Sequence, residues 1–508
     1  MRARDRVTKA EVSDRAARDR GSFREWLAIF GLGLCVYLLT LPADLRGNAD
    51  TLYRFNVTKS LVDHLTSHFT CRNPNDPRTV FGLHGCWYTI YAPGQTLAMI
   101  PLYEIGKLVS YSLGAPFDFA TALAARMLDP IMGALALVVF FALCLTIGYR
   151  RQTAILLTVI LGFDTTLWPD VQSGQDTPQI TLFLLLAGLA LIRGLPEAFG
   201  VGTGLWPNVS TRTWLLLSGV ASGLGVLTRY DFMVYVVVLA VIGIALSMRR
   251  VHDQLGRSSG VIPPVDGGTA HVGPGADQPG IRAPSDGGHP YKSVSGTRKQ
   301  VLWSERIRET ARVLAPFGIG VLPFVTMDAL WNAQRFGKPW SMGQSAVDQF
   351  GFPVWQGIPN LLISPAKGLI WYVPALWLLP FVARQLFRRR PEVFFLFAAL
   401  AVTAIVFYAN VIYWHGDPGW GPRYLYPVAP FLVLPLGELF HGFGRLRIGT
   451  KGLIAGALAL SLAVQVAAVS VDGWRFWYNL VQIRQVSGQT FRWDYTRYDY
   501  YWTRNLSL

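Results

Sequence analysis

The sequence predicts an all-α polytopic membrane protein of about eleven transmembrane helices, N-terminus in and C-terminus out, with a long first exoplasmic loop containing interfacial helices. Three observations carry this. Only 15% of the 508 residues are charged and 51% are hydrophobic, with mean hydropathy +0.32, whereas an ordinary soluble domain is about a quarter charged. Apolar runs of roughly 20 residues recur along the chain, the length that crosses the hydrocarbon core of a bilayer. Basic residues gather in alternate loops, as cytoplasmic anchors do. The net charge of +15 therefore points to membrane lipids as partners and excludes nucleic acid as the expected one.

The elements follow in order. Residues 1–24 carry eight Arg or Lys and form a basic cytoplasmic N-terminus. The next apolar run lacks a small-residue cleavage site, so it is expected to stay as the first helix. Spans are expected at 25–44, 128–148, 153–169, 177–193, 213–229, 232–248, 313–332, 369–383, 392–413, 424–441 and 452–471. They make an N-terminal module (25–248) and a C-terminal module (313–471), with an exoplasmic tail at 472–508. The loops that this threading puts inside contain Arg150 and Arg151, Arg193 and Arg212, ten basic residues from Arg249 to Arg312, Arg384 with Arg388 to Arg390, and Arg445, Arg447 and Lys451. All obey the positive-inside rule. Residues 94–113 are apolar but contain Pro101, Glu104 and Lys107, and reading them as a span would invert every later loop. An interfacial helix keeps the charge rule. The 249–312 loop is expected to be disordered, because its Gly, Pro, Ser and Asp content around 251–298 cannot bury enough surface to offset ordering.

Ionisable residues that no anchor explains collect on the exoplasmic side. The first loop, 45–127, is long and rich in aromatics, which marks a functional segment. Asp50 lies just beyond the first span, where a tuned carboxylate can deprotonate a hydroxyl; a solvated loop aspartate is the plain alternative. Cys71 and Cys86 share this loop, in a compartment that permits a disulfide or leaves two thiols. Asp176 precedes a helix and reads equally as an N-cap or as a functional acid. Arg229 and Asp231 sit in a very short loop, either as an internal ion pair or as a ligand site. Further along come Arg335 and Lys338, then Lys367, then the turn holding His415, Asp417 and Arg423. Several cations at a bilayer surface suit a phosphate-bearing lipid. No cofactor is certain from these residues; a divalent cation on His415 and an acid such as Asp176 is left open.

At these residues the chain resembles the GT-C superfamily of polyprenyl-phosphate-sugar-dependent glycosyltransferases, in particular the protein mannosyltransferase and aminoarabinose transferase branch. The matching features are Asp50 with Tyr53 after the first helix, Tyr91-Ala92-Pro93-Gly94, Arg126 before the second span and Asp176 before the fourth. Asn332 to Gly337, Leu362 to Tyr372 and Gly421-Pro422-Arg423-Tyr424 complete them. Where the family carries an Asp-Glu pair, this chain has Asp50-Thr51. The resemblance implies a multi-pass protein of the cell membrane whose active site faces outward. It implies a polyprenyl-phosphate-linked sugar donor and a glycan, glycolipid or protein acceptor. Asp50 would be the base of an inverting displacement and Asp176 an acid positioning acceptor or metal. Arg229, Arg335, Lys338, Lys367 and Arg423 would hold the donor phosphate, and Tyr53, Tyr91, His415 and Asp417 would line the substrate. A lipid-linked glycan ligase or polymerase shares the layout. A lipid flippase or transporter is the remaining alternative, although transporters place their charges near the midplane within repeated halves.

Overall fold

A computed structural model describes residues 23–42, 49–202, 206, 208–258, 295–345, 349–365, 367–416, 419–441 and 443–471. The chain is mostly helical. Helices α1 (Phe23–Leu39) and α2 (Ala49–His64) are followed by a short antiparallel hairpin, β1 (Thr79–Phe81) and β2 (Trp87–Thr89). Then come α3 (Gly94–Leu113), α4 (Phe117–Arg126), α5 (Leu128–Ile147), α6 (Arg151–Phe163), α7 (Leu167–Ser173), α8 (Thr177–Gly194) and α9 (Thr211–Thr228). The second half holds α10 (Met233–Ser258), α11 (Ser295–Phe336), α12 (Val354–Ile363), α13 (Leu379–Arg389), α14 (Pro391–Ala409) and α15 (Ile448–Ser470). Of the expected 249–312 linker, both ends are helical and 259–294 lies outside the described residues, as do the tail from 472 and the first 22 residues.

Among the described residues, six helical segments are long and apolar enough to cross a membrane: Phe117–Ile147, Thr177–Gly194, Tyr230–Arg249, Thr310–Phe336, Pro391–Ala409 and Ile448–Ser470. A seventh arises if α6 and α7, bent by 45° at their junction, count as one span. These lengths and compositions make the chain a multi-pass membrane protein. The stretches expected at 369–383 and 424–441 are not continuous helices. They break into short α and 3₁₀ pieces at Pro374, Pro380, Pro427, Pro430 and Pro435, each of which removes a ladder donor and crowds the preceding turn. The second of these broken stretches is buried almost throughout by neighbouring helices, where irregular backbone is tolerable at membrane depth.

The core lies where α5 and α8 meet α1, α6 and α9. Helix α5 is apolar on every side, so it can only be stable surrounded, and Phe140, Phe141 and Leu143 are fully buried. Helices α9 and α11 cross backbone to backbone: a Cβ on Gly219 would stand 2.0 Å from the Phe317 carbonyl oxygen, and one on Gly320 2.4 Å from that of Leu216. This approach fixes where α9 ends, and so where Arg229 emerges. The expected long first loop is a folded layer of α2, the hairpin, α3 and α4. Tyr103 of α3 donates to Asp63 of α2 (2.7 Å), and the side chains of Thr58 and Tyr103 are fully buried between these helices.

Candidate active site

Asp50 occupies the first turn of α2, where the helix dipole favours an anion. Arg54 follows at i+4, on the same face of the helix. The hairpin pairs Thr79 with Thr89 and Phe81 with Trp87, which brings Arg78, just before β1, and Tyr91, just after β2, onto Asp50. The Tyr91 hydroxyl donates to Asp50 Oδ1 at 2.6 Å and Arg78 Nε donates to the same oxygen at 3.1 Å. Arg423 Nη1 stands 4.0 Å from Asp50 Oδ2. Burial alone would raise the Asp50 pKa. Arg423, Arg54, the Tyr91 hydrogen bond and Arg78 outweigh it and hold the carboxyl below the usual carboxylate range. Tyr91 moves the opposite way, because burial and the Asp50 charge both keep its hydroxyl protonated. The pair is therefore an ionised acceptor and a fixed donor, and Asp50 keeps 24% of its side chain exposed to the cavity in front of it.

A second charged layer backs the first. Arg54 Nη2 meets Asp176 Oδ2 at 2.7 Å with both side chains under one-tenth exposed, and its guanidinium lies 4.1 Å over the Tyr91 ring. Asp176 stands at the N-terminus of α8 with Pro178 in the first turn; its side chain makes no capping bond and turns to Arg54 and, at 3.8 Å, to Arg229. Arg229 also binds Asp231 at 2.6 Å, and Tyr408 of α14 donates to Asp231 at 2.8 Å. Tyr408 stacks on Tyr424, centroids 4.8 Å apart, and both Arg229 and Arg423 lie over the Tyr424 ring.

All of these charged groups and tyrosines except Arg78 line a cavity of about 470 Å³. The lining also includes the apolar side chains of Ile90, Val234, Met342, Phe350, Phe407 and Val411, with the polar Gln344, Ser345 and Gln349 among them. One space thus offers several guanidinium groups, apolar side chains and the Asp50 carboxylate, while Asp176 and Asp231 are engaged by Arg54 and Arg229. That combination can bind an anionic headgroup carrying an apolar tail, with a proton acceptor at its edge.

No family model and no curated protein matches the chain. Three solved structures are similar in layout. ArnT from Cupriavidus metallidurans, bound to undecaprenyl phosphate, is 14% identical with a TM-score of 0.44, covering 94% of this chain and 68% of its own. The Archaeoglobus fulgidus oligosaccharyltransferase tethered to an acceptor peptide with an NVT sequon is 11% identical with a TM-score of 0.46, covering 88% of this chain and 55% of its own. Its apo form is 12% identical with a TM-score of 0.46, covering 95% and 60%. Both proteins are members of the GT-C superfamily. This chain spans little more than half of the oligosaccharyltransferase's length, and its chemistry is argued from its own residues.

Of the sequence-predicted site residues, Asp50, Tyr91, Asp176, Arg229 and Arg423 line the cavity together. The other described ones are placed elsewhere. Arg335 is fully buried behind the cavity wall, donating to the carbonyls of Thr89 (2.7 Å) and Tyr91 (3.3 Å), to Asn332 and to Tyr230. Its guanidinium clamps the hairpin exit instead of facing a ligand. Lys338 is exposed beyond α11, and Lys367 donates to the Gly419 carbonyl at 2.5 Å. Tyr53 stacks on Phe69 at 4.5 Å, away from the cavity. His415 is buried, and burial, then Lys367 and Arg423, push its pKa down to about 3, so it is a neutral imidazole. Asp417 lies outside the described residues. Cys71 and Cys86 form a disulfide. Arg54, Arg78 and Tyr408 were not among the sequence-predicted site residues, and Tyr424 stood only within the Gly421-to-Tyr424 motif. Arg54 had a signal, its i+4 spacing from Asp50 at the start of a helix. Arg78 had none, because only the hairpin register carries it to Asp50.

The donor set at the cavity does not fit a resident divalent cation. Asp50 and Asp176 each face guanidinium groups. Among the described residues, the ligand-type cluster of three is His68 with Cys71 and Cys86, whose sulfurs are joined to each other.

Proposed function

We propose that this chain is an integral membrane glycosyltransferase that moves a sugar from a polyprenyl-phosphate donor to an extracytoplasmic acceptor with inversion, Asp50 acting as general base. The wider reading is the eleven-span topology with the Asp50 cavity on the outer face. The observation that carries it is Asp50 itself, an ionised carboxylate in a cavity lined by guanidinium groups and by apolar side chains. The acceptor hydroxyl approaches Asp50 and passes its proton to Oδ2 as its oxygen bonds to the anomeric carbon. The bond from that carbon to the phosphate oxygen breaks on the opposite side, and polyprenyl phosphate leaves. Arg229 and Arg423 meet the charge that develops on the departing phosphate, where one well-placed donor is typically worth about 3–4 kcal/mol. Asp176 keeps Arg54 and Arg229 in place between the two layers. Tyr91 fixes the lone pair of Oδ1 and leaves Oδ2 for the proton.

An anionic donor also acts on the base. A phosphate bound at Arg423 competes with Asp50 for that cation, so Asp50 becomes a stronger base once the donor is seated. The cavity volume falls in the range of about 300–1,000 Å³ usual for one small ligand, which supports a single sugar over a long glycan. The test is a panel of polyprenyl-phosphate monosaccharides offered to the purified protein, with release of polyprenyl phosphate as the readout. Release with one sugar supports the reading and names that sugar. Binding of every donor with no release would move the assignment to a glycan ligase or flippase.

A further inference from the structure

We propose that the disulfide-closed hairpin is the positioning element for the base: Arg78 and Tyr91 set the Asp50 carboxylate, and the Cys71–Cys86 bridge holds them in register. This rests on the reading of Asp50 as the base and adds two positioning residues and a covalent staple to it.

Asp50 lies in the first turn of α2, and helix ends fray unless something outside holds them. What holds it comes from the hairpin. Arg78 is fixed at both ends: Asp76 Oδ1 accepts its backbone N–H at 2.8 Å and Asp76 Oδ2 takes Nη1 at 3.3 Å, which aims Nε at Asp50. Ile90 N–H donates to the Arg78 carbonyl at 3.1 Å, extending the ladder one pair beyond Thr79 and Thr89, and Tyr91 follows directly. Both contacts to Asp50 Oδ1 therefore depend on one strand register, and a slip of one residue would turn Arg78 to the opposite face.

Three features pin that register. Phe69 and Thr70 form a third short segment against Trp87, with Phe69 N–H donating to the Trp87 carbonyl (2.8 Å) and Trp87 N–H to that of Thr70 (2.7 Å). The disulfide joins Cys71, just after this segment, to Cys86, just before β2. Arg335 of α11 grips the carbonyls of Thr89 and Tyr91 where the strand leaves. A strand pair three residues long is marginal alone, so the covalent link carries much of the order.

The test measures kcat/KM against pH on the full-length protein in detergent, with the donor that wild type turns over. The charged and titratable groups facing Asp50 are Arg54 from its own helix, Arg78 and the neutral Tyr91 from the hairpin, and Arg423 from the loop across the cavity. Removing Arg78 removes a cation that favours the carboxylate, so the acid limb of the profile moves to higher pH. Arg78→Met is expected to lose on the order of 10²-fold in kcat/KM with that displacement, since a misplaced catalytic group costs about that much. Arg78→Lys keeps the charge and is expected to keep the acid limb while losing rate. Tris(2-carboxyethyl)phosphine on the wild type adds two electrons and two protons to the bridge, giving two thiols and the phosphine oxide with water's oxygen. It is expected to reproduce the rate loss, with recovery on reoxidation by oxidised glutathione. This reversible arm stands in for any variant that does not fold. Reduced wild type or folded Arg78→Met with unchanged kcat/KM and acid limb overturns the proposal. If turnover is also indifferent to Asp50→Asn, it is the assignment of the base that fails; if Asp50 is needed and Arg78 and the bridge are not, the positioning proposal alone fails.

Discussion

Replacing Arg54 with methionine tests the layer beneath the base. The Arg54–Asp176 contact is 2.7 Å long with side chains 6% and 8% exposed, so neither group has water to turn to when its partner goes. Removing one member of a buried ion pair typically costs about 3–5 kcal/mol, because the other is left charged and desolvated. Arg229 stays 3.8 Å from the second Asp176 oxygen and recovers part of this, which places Arg54→Met at the low end, about 3 kcal/mol. Asp176→Leu takes this partner from Arg54 while Arg229 keeps Asp231 at 2.6 Å, and is expected to cost about 3–5 kcal/mol. The double replacement removes the mutual penalty and is expected to lose less than the sum of the singles by about 1–3 kcal/mol. Denaturant titration of the four proteins in one detergent, followed by tryptophan fluorescence, gives the cycle. Additive single losses, or an Arg54→Met loss below about 1 kcal/mol, would refute the argument that the pair is buried and coupled.

Three further outcomes are expected. Arg423→Met should weaken donor binding by about 10- to 100-fold, the worth of a hydrogen bond to a charged group, and should move the acid limb of kcat/KM to higher pH because Asp50 loses its largest cationic influence. His415, neutral in the fold down to about pH 3 and protonated in the unfolded chain below about pH 6.5, makes wild type lose up to about 1.4 kcal/mol per pH unit as pH falls through that window; His415→Gln should lack this slope in thermal melts. Gly219→Val should force α9 and α11 apart, with a loss of about 1–3 kcal/mol or more in the same titration, whereas substitution at the open Gly452 should not.

The site was partly legible in the sequence. Asp50, Asp176, Arg229 and Arg423 stood out because each is a charge beside an apolar run with no anchoring task, and all four line one cavity. Arg335 and Lys367 satisfied the same rule and turned elsewhere, since composition does not tell which way a side chain leaves its helix or turn. Arg335 faces the hairpin because it follows Asn332 by one helical turn on the face of α11 packed there. Arg78 was invisible for the complementary reason: it is 28 residues from Asp50, and strand register closes the gap. The fold shows the same division. Long uniform runs such as Leu128–Ile147 read directly as helices, while window hydropathy passed over the prolines that break 369–389 and 423–440. Those prolines were on view; their consequence depends on the helices around them.

The most direct measurement of the central claim is single-turnover transfer by wild type and Asp50→Asn at saturating polyprenyl-phosphate sugar, with donor affinity measured in parallel. Loss of a general base is expected to slow transfer by about 10²- to 10⁴-fold while donor affinity holds or rises, because the asparagine no longer competes with the phosphate for Arg423. Transfer at the wild-type rate by a folded Asp50→Asn protein would contradict the account.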